Sequence, residues 1–315
     1  MVANDPKEEG DRRPPRRLVD GILLLDKPAG LSSNRALQKV KGLLRARKAG
    51  HTGSLDPLAS GMLPICFGRG TRLSAFLLDA NKEYVARATL GARTTTGDAE
   101  GEIIETLPLP ELDSIRVLKT LDRFSGRIEQ VPPMYSALKH KGRRLYQLAR
   151  QGVEVPRLPR QVTIFEIELT DLGAGHLDLR VVSSKGTYIR TLVEDICRDL
   201  GTVGHVSMLR RCTVGDLPVE EMVTFDELED LAAVGQSELD SRVLPLDTIV
   251  AHMPSVALTG EGVRDITHGR LTVFPGLDLS GQLRLYDQVG RFIGIGEAQA
   301  ADQIAPVKVF HPANG

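Results

Sequence analysis

A single carboxylate lies in a dense run of glycine, proline and small hydroxyl residues. The run is Gly50-His51-Thr52-Gly53-Ser54-Leu55-Asp56-Pro57-Leu58-Ala59-Ser60-Gly61, and Asp56 is its one acid. The segment from Arg35 to Lys48, just before it, carries only basic charges. An isolated acid on a tightly shaped loop beside positive charge is typical of a nucleophile directed at a polyanion. An isolated Asp-Pro pair between glycines is more often a surface turn, so the neighbouring residues must support the catalytic interpretation.

Three further clusters contain side chains that can stack, pair or move protons. Lys82-Glu83-Tyr84 places an aromatic ring beside charge at the start of an expected strand. Tyr188 and Arg190 lie on one side of an extended turn that enters an expected helix, and the third cluster is Leu209-Arg210-Arg211. Taken one at a time, the two tyrosines fit core or rim aromatics, and Arg190 fits a surface ion pair.

The sequence lacks the motifs of several common enzyme classes. It has no Gly-x-x-x-x-Gly-Lys-Ser/Thr loop, and no Gly-x-Gly-x-x-Gly opens a helix after the first expected strand. His-Glu-x-x-His and Gly-x-Ser-x-Gly are absent too. The seven histidines are scattered, and Cys66, Cys197 and Cys212 show no metal-ligand spacing. We therefore expect chemistry without a metal or a cofactor, and three reduced cysteines that serve packing.

Length and composition are typical of a soluble globular protein. The 315 residues allow one large domain and a small one, and 41% hydrophobic with 26% charged residues is an ordinary balance. No apolar stretch is long enough to cross a bilayer, and the first residues lack the apolar centre of a signal peptide. We expect a cytoplasmic protein that does not associate with membranes.

The net charge of -1 conceals a separation of charges along the chain. Residues 30–50 and 139–160 are strongly basic, whereas residues 216–247 are acidic with Arg242 as their one basic residue. Such poles favour one basic face for phosphates and one acidic outer face. Solvated helix surfaces produce the same runs, so composition alone leaves both interpretations open.

The apolar patterns predict an α+β fold, because strands and helices mix without a regular βαβ repeat. Alternation over Phe165, Ile167 and Leu169, and again over residues 177–181, predicts two antiparallel strands. Ser32 or Ser33 is a suitable N-cap for a helix that runs to about Arg47. A short basic helix is predicted over residues 143–151.

The pattern of predicted secondary structure changes near residues 247–254. From about Ser255 it consists of short strands and glycine turns, which predicts a small β-rich domain. We divide the chain into a disordered basic arm over residues 1–17, a catalytic domain over residues 18–250 and a C-terminal domain over residues 251–315.

Six segments occur in the order found in one enzyme family. They are Leu25 to Pro28 with Gly30 to Asn34, Gly50 to Gly61, Lys82 to Tyr84, Val131 to Leu138, Ser184 to Arg190 and Leu209 to Arg211. With these segments the chain resembles the TruB family of bacterial tRNA pseudouridine synthases, from about Asp20 into the C-terminal domain. The resemblance implies the pseudouridine synthase fold, with a mixed, largely antiparallel sheet and flanking helices. The tail is similar to the family's PUA-like RNA-binding domain.

The resemblance implies that the T-loop uridine at tRNA position 55 is flipped out and isomerised to pseudouridine. The family's nucleophilic aspartate corresponds to Asp56, which would attack the ribose C1′ or the uracil C6, with Arg190 as its paired cation. Tyr84 would stack on the uracil, and Tyr188 and Leu209 would complete the base pocket. His51 would occupy the space that the base leaves. Lys27 would support the strand end near the pocket.

The implied partner is the T-arm of tRNA, with no obligate protein partner, and a monomer is our default expectation. One alternative is an RNA-binding or RNA-folding protein that kept the scaffold, although folding activity can also accompany catalysis. Retention of Asp56, Tyr84 and Arg190 together argues against it, because binding alone needs none of the three. A second alternative is a relative guided by small RNAs, against which the lack of a long basic extension argues.

Overall fold

The computed structural model describes residues 15–300 and 302–310. Most of the predicted N-terminal arm, residues 1–14, lies outside the described residues, so its disorder stays a prediction. Arg17, at the end of that arm, forms a β-bridge with Ala46 and an ion pair with Asp240. None of the described helices is long and apolar enough to span a membrane.

The larger part of the chain mixes strands and helices without regular alternation. Its strands are β1 Gly21–Lys27, β2 Ala49–His51, β3 Ser60–Phe67, β4 Lys82–Leu90, β5 Ala92–Thr94, β6 Ile103–Thr106, β7 Gly126–Gln130, β8 Lys139–His140, β9 Arg143–Arg144, β10 Arg160–Gly173, β11 His176–Ser183 and β12 Gly204–Val214. Its α-helices are α1 Ser33–Leu43, α2 Ser74–Asp79, α3 Ser114–Arg123, α4 Leu145–Ala149, α5 Ile189–Asp199, α6 Phe225–Val234 and α7 Gln236–Asp240. Short 3-10 helices cover Gly68–Arg72, Val219–Glu221 and Leu246–Val250.

One large sheet organises these elements. Its strand order is β1-β3-β12-β4-β11-β10-β7, and β2 pairs with β3 off this path. Every pair along this path is antiparallel except β3 with β12, which is parallel and spans two residue pairs. The predicted α+β class with a mixed, largely antiparallel sheet and flanking helices is confirmed.

Helix α1 begins where the sequence predicts and ends earlier. The Ser32 side chain accepts the amide hydrogen of Arg35 and caps the helix. The helix ends at Leu43, four residues before the predicted end, because Arg45 adopts a left-handed φ of 50° that no α-helix continues. Leu37, Val40 and Leu44 are buried against the sheet, as their spacing predicts.

The strand pair β10–β11 is antiparallel as predicted, with one correction. Leu177, Leu179 and Val181 are fully buried. Phe165 is wrong as a core residue, because a bulge between Ile164 and Glu166 shifts the register of β10. Ile164 therefore faces the core at 0% exposure, and Phe165 is 50% exposed.

The last part of the chain forms a separate small sheet. Its strands are β13 Ser255–Ala257, β14 Thr272–Val273, β15 Gln282–Tyr286, β16 Phe292–Gln299 and β17 Gln303–Val309, in the order β13-β15-β16-β17-β14, with α8 Gly260–Thr267. The predicted small β-rich C-terminal unit is confirmed. Ile295 and Phe310 of this unit share an apolar cluster with Ile22 and Leu24 of β1, so it packs on the larger sheet.

The acidic segment lies against part of the basic one. Lys39 of α1 forms a 2.7 Å ion pair with Glu229 of α6, and its ammonium lies over the ring of Phe225. Arg17 is likewise neutralised by Asp240 of α7. The basic and acidic segments therefore do not form fully separate faces. The exposed basic surface is smaller than the sequence suggests.

Candidate active site

The loop that carries Asp56 connects β2 to β3 and is held by hydrogen bonds to the start of α1. Buried Ser33 uses its hydroxyl twice, donating to the Leu55 carbonyl at 2.9 Å and accepting from the Leu55 amide at 2.8 Å. The Gly30 amide donates to the Pro57 carbonyl at 2.7 Å. The residues on both sides of Asp56 are thus fixed, which limits where its carboxylate can lie.

Asp56 and Arg190, predicted to pair, are in direct contact. Arg190 Nε lies 2.9 Å from Asp56 Oδ2. Arg190 occupies the first turn of α5, and its side chain is only 5% exposed, whereas the Asp56 side chain is 39% exposed. The carboxylate therefore combines a buried cationic partner with an open side that a substrate can approach.

Two backbone carbonyls and a second carboxylate hold the Arg190 guanidinium. Its Nη1 donates to the Thr96 carbonyl at 2.6 Å, and its Nη2 donates to the Tyr135 carbonyl at 2.7 Å. Asp98 Oδ2 lies 3.7 Å from Nη1, and Asp98 is buried. The fixed fork of an arginine matches this set of acceptors, and a lysine would not.

The pKa of Asp56 reflects two opposing causes. Burial raises it above the ordinary aspartate value, Arg190 opposes that shift, and the nearby charge of Asp98 adds to the rise. Lys27 also favours the ionised form. The ion pair with Arg190 favours the charged form and offsets part of the rise in pKa that burial causes.

Tyr188 and Tyr84 lie on different elements, and Tyr188 is close enough to Arg190 and Asp56 for their charges to act on its pKa. Tyr188 precedes α5, and its amide donates to the Gln130 side chain at 3.0 Å. Burial raises the pKa of the Tyr188 phenol, so it keeps its proton at neutral pH. Tyr84 is half-buried in β4 and pairs across the sheet with Val181 and Arg211.

Leu209 and His51 complete the predicted set. Leu209 is buried on β12 opposite Ala86, and it belongs to the main core. His51 ends β2 and is half-buried. Burial lowers the pKa of His51, with further lowering by Arg211 and Arg144, which favours the neutral imidazole. Its buried Nδ1 has no hydrogen-bond partner among the described residues.

The sequence did not assign a role to the loop over residues 94–101, which forms one wall of the site. Thr96 Oγ1 donates to Asp98 Oδ1 at 2.5 Å, and Thr94 Oγ1 donates to the Asp98 carbonyl at 2.6 Å. Gly97, at a φ of 73°, lies against Arg190 and Glu194. The threonines and glycine before Asp98 were the available signal, but only the fold shows that the loop reaches Arg190.

Lys27 and Arg211 each donate a hydrogen bond to a backbone carbonyl of the Asp56 loop. Lys27 is fully buried, and its ammonium donates to the carbonyls of Pro28 at 2.8 Å and Leu31 at 2.7 Å. Burial lowers the pKa of Lys27 to about 8. These contacts agree with a supporting position for Lys27, as the sequence suggests. Arg211 stood in a noted cluster, but its burial was not predicted.

The basic run over residues 139–160 forms a hairpin and a short helix. Strands β8 and β9 pair as Lys139 with Arg144, so the helix predicted from Arg143 begins only at Leu145. Lys139, Lys141 and Arg143 are exposed. The run therefore offers positive charge to a ligand that approaches the described surface.

Two other places could in principle hold a ligand. A cavity of about 630 Å³ lies between α2 and the 3-10 helix at Leu246–Val250, and none of the predicted site residues line it. Asp171, His176 and Asp178 place possible metal ligands within 4.8 Å of one another, a grouping that the scattered histidines did not predict. Arg87 already binds both oxygens of Asp178, so we assign no metal there.

Comparison with known proteins decides the family. Residues 41–189 match the family described as "TruB family pseudouridylate synthase (N terminal domain)", and residues 190–251 match "tRNA pseudouridylate synthase B C-terminal domain". Residues 254–310 match "Pseudouridine synthase II TruB, C-terminal". The tRNA pseudouridine synthase B of Nitrosococcus oceani is 50% identical over 297 residues, 94% of this chain and 96% of that protein. This chain belongs to the TruB family.

Further relatives agree with the TruB assignment. The tRNA pseudouridine synthase B of Haemophilus influenzae is 51% identical over 281 residues, 89% of this chain and 90% of that protein. The structure titled "Crystal Structure of a Cbf5-Nop10-Gar1 Complex" superposes with a TM-score of 0.70 at 25% identity, over 94% of this chain and 86% of that one. This TruB family member is thus a tRNA pseudouridine synthase, an isomerase that binds RNA and acts on uridine in tRNA.

Proposed function

We propose that this TruB family member isomerises the T-loop uridine at position 55 of tRNA, with Asp56 as the nucleophile. The observation that carries the proposal is the contact between Asp56 and buried Arg190, on a carboxylate with one open side. A carboxylate held by a fixed cation is ready to attack an electron-poor carbon.

The reaction exchanges one bond to the ribose for another. The bond between uracil N1 and ribose C1′ breaks, and a bond between uracil C5 and C1′ forms. C5 loses its proton and N1 gains one, so the atoms balance without an oxidant or a cofactor. Attack of Asp56 at C1′ and attack at C6 both fit the open carboxylate.

The base must leave the T-loop stack before it can react, at a cost of a few kcal/mol. Half-buried Tyr84 offers its ring for stacking, a contact worth about 1–3 kcal/mol per base. Protonated Tyr188 and buried Leu209 close the base pocket, and neutral His51 fills the space that the base leaves. Each of these roles is part of the proposal.

The partner in this proposal is the T-arm of tRNA. The basic hairpin β8–β9 and exposed Arg35 of α1 bind its phosphates, and such contacts fix the position of the RNA rather than read its sequence. The C-terminal unit adds a second RNA contact, as its PUA-like character suggests. The protein acts without a protein subunit, unlike the archaeal-type complexes that its structural relatives form.

A position-specific assay tests the proposal. The protein is incubated with a tRNA transcript, and pseudouridine is mapped at every uridine by carbodiimide modification and primer extension. We expect modification at position 55 alone, and its loss when the T-arm uridine is replaced by cytidine. Modification at other positions with none at position 55 would contradict the proposal.

A further inference from the structure

Arg211 is a fully buried cation whose hydrogen bonds all go to backbone oxygens. It is 1% exposed on β12, where its Nε donates to the Met62 carbonyl at 2.8 Å and its Nη2 donates to the Gly53 carbonyl at 3.0 Å. Within residues 15–300 and 302–310, no carboxylate oxygen lies within 4.0 Å of its guanidinium. A buried charge retained without a counter-ion calls for a specific reason.

The two carbonyls lie at opposite ends of the Asp56 loop. Gly53 stands three residues before Asp56, and Met62 stands six residues after it on β3. A single rigid side chain therefore ties both ends of the loop to β12. A lysine at this position would offer one point charge in place of the fork that reaches both acceptors.

The backbone around Arg211 is built for close approach. Strands β3 and β12 pair only through Ser60–Arg210 and Gly61–Arg211. A Cβ on Gly61 would lie 2.2 Å from the Arg211 carbonyl oxygen, so only glycine permits this spacing. A Cβ on Gly53 would lie 3.2 Å from Arg211 Nη1, so the guanidinium packs directly against the loop.

We infer that Arg211 is the positioning residue that sets where the Asp56 carboxylate lies relative to Arg190. The inference rests on the proposed role of Asp56 as nucleophile. Among the described residues, Arg211 has no hydrogen bond or ion pair with Asp56 or Arg190. It acts through the Gly53 and Met62 carbonyls. Loss of the fork displaces the loop, and displacement of a reacting group by about 1 Å costs roughly 100-fold in rate.

The test is Arg211→Lys, which keeps the charge. We expect the single-turnover rate at saturating tRNA to fall by about 100-fold, with the Kd for tRNA within about threefold. The acid limb of the rate should move to higher pH, because a displaced Asp56 pairs less well with Arg190 and its pKa rises. The matched control is Arg210→Lys on the same strand, which pairs with Asp26 and should change the rate less than threefold.

If Arg211 only stabilised the fold, its replacement would leave the acid limb of the rate in its original place. An unchanged rate, or a rate loss with the acid limb in its original place, would overturn the inference. Asp56→Asn is assayed in parallel: if it remains active, the proposed nucleophile is wrong, whereas inactivity of Asp56→Asn beside full activity of Arg211→Lys removes only the role of Arg211.

A second variant covers the case in which Arg211→Lys does not fold. Gly53→Ala, at a φ of +69°, pushes the loop away from Arg211 and should reproduce the rate loss and the pH shift. Gly126→Ala is its control, because that glycine has a φ of +81° and open space around it at the start of β7. Wild-type kinetics in Gly53→Ala would overturn the inference.

Discussion

Arg190 Nε lies 2.9 Å from Asp56 Oδ2 while the other two nitrogens of the same guanidinium donate to the Thr96 and Tyr135 carbonyls. All three nitrogens are therefore occupied, and the cation cannot turn away from the carboxylate. The arrangement favours the ionised form of Asp56 and opposes the rise in its pKa that burial causes. It joins the Asp56 loop, the loop over residues 94–101 and the start of α5.

Arg190→Lys should be nearly inactive. A lysine keeps the charge but cannot satisfy the Thr96 and Tyr135 carbonyls together with Asp56, so the carboxylate loses its fixed partner. We expect the single-turnover rate to fall by about 100-fold or more, on the scale of lost electrostatic preorganisation. Binding of tRNA, measured by filter retention, should change little, because Arg190 is buried. Equal losses of rate and binding would argue against this role.

Asp98→Asn should move the pH dependence of the rate toward lower pH. The negative charge of Asp98 raises the pKa of Asp56, so its removal lowers that pKa and keeps Asp56 ionised in more acidic solution. The measurement is the single-turnover rate from about pH 4.5 to pH 8, fitted for the acid limb. Asp122→Asn, on the exposed face of α3, is the control and should leave the limb in place. A limb that moved to higher pH would contradict the sign of the effect.

Ser33→Ala should reduce both stability and activity. The hydroxyl satisfies the buried amide and carbonyl of Leu55, so its loss costs about 1–3 kcal/mol of unfolding free energy. The same loss frees the residue next to Asp56 and should lower the rate. Ser32→Ala removes the N-cap of α1 at a similar cost of about 1 kcal/mol without touching the loop. Urea unfolding and single-turnover rates of both variants separate the effects, and equal rates would contradict the role of Ser33.

Lys139→Ala and Lys141→Ala should each weaken tRNA binding in a salt-dependent manner. Each lysine that neutralises a phosphate contributes about one to the slope of log K against log salt. We expect the slope to fall by roughly that amount per variant, with the rate at saturating tRNA unchanged. Lys119→Ala on α3 is exposed and serves as the control. An unchanged slope in both hairpin variants would remove the hairpin from the RNA surface.

The sequence predicted the candidate reacting residues better than the residues that hold them in place. The Asp56 run and Arg190 stood out by residue type and order, and the fold brings them into contact. Asp98 did not stand out, and the burial of Arg211 was not predicted, because both depend on long-range pairing that spacing along the chain does not encode. Phe165 was misplaced for a related reason: a bulge in β10 shifts the register, and periodicity assumes that register is constant. Partial neutralisation of the basic segment by α6 and α7 is likewise a tertiary effect.

The central claim is that the Asp56 carboxylate performs the reaction, and Asp56→Asn tests it most directly. The asparagine keeps the size of the side chain and one acceptor oxygen, and it removes the charge. Release of tritium from 5-tritiated uridine in a tRNA transcript is followed under single-turnover conditions, together with the Kd for the same tRNA. We expect no tritium release above background from Asp56→Asn, with a Kd within a few-fold of the wild-type value. Tritium release at a wild-type rate would contradict the central claim.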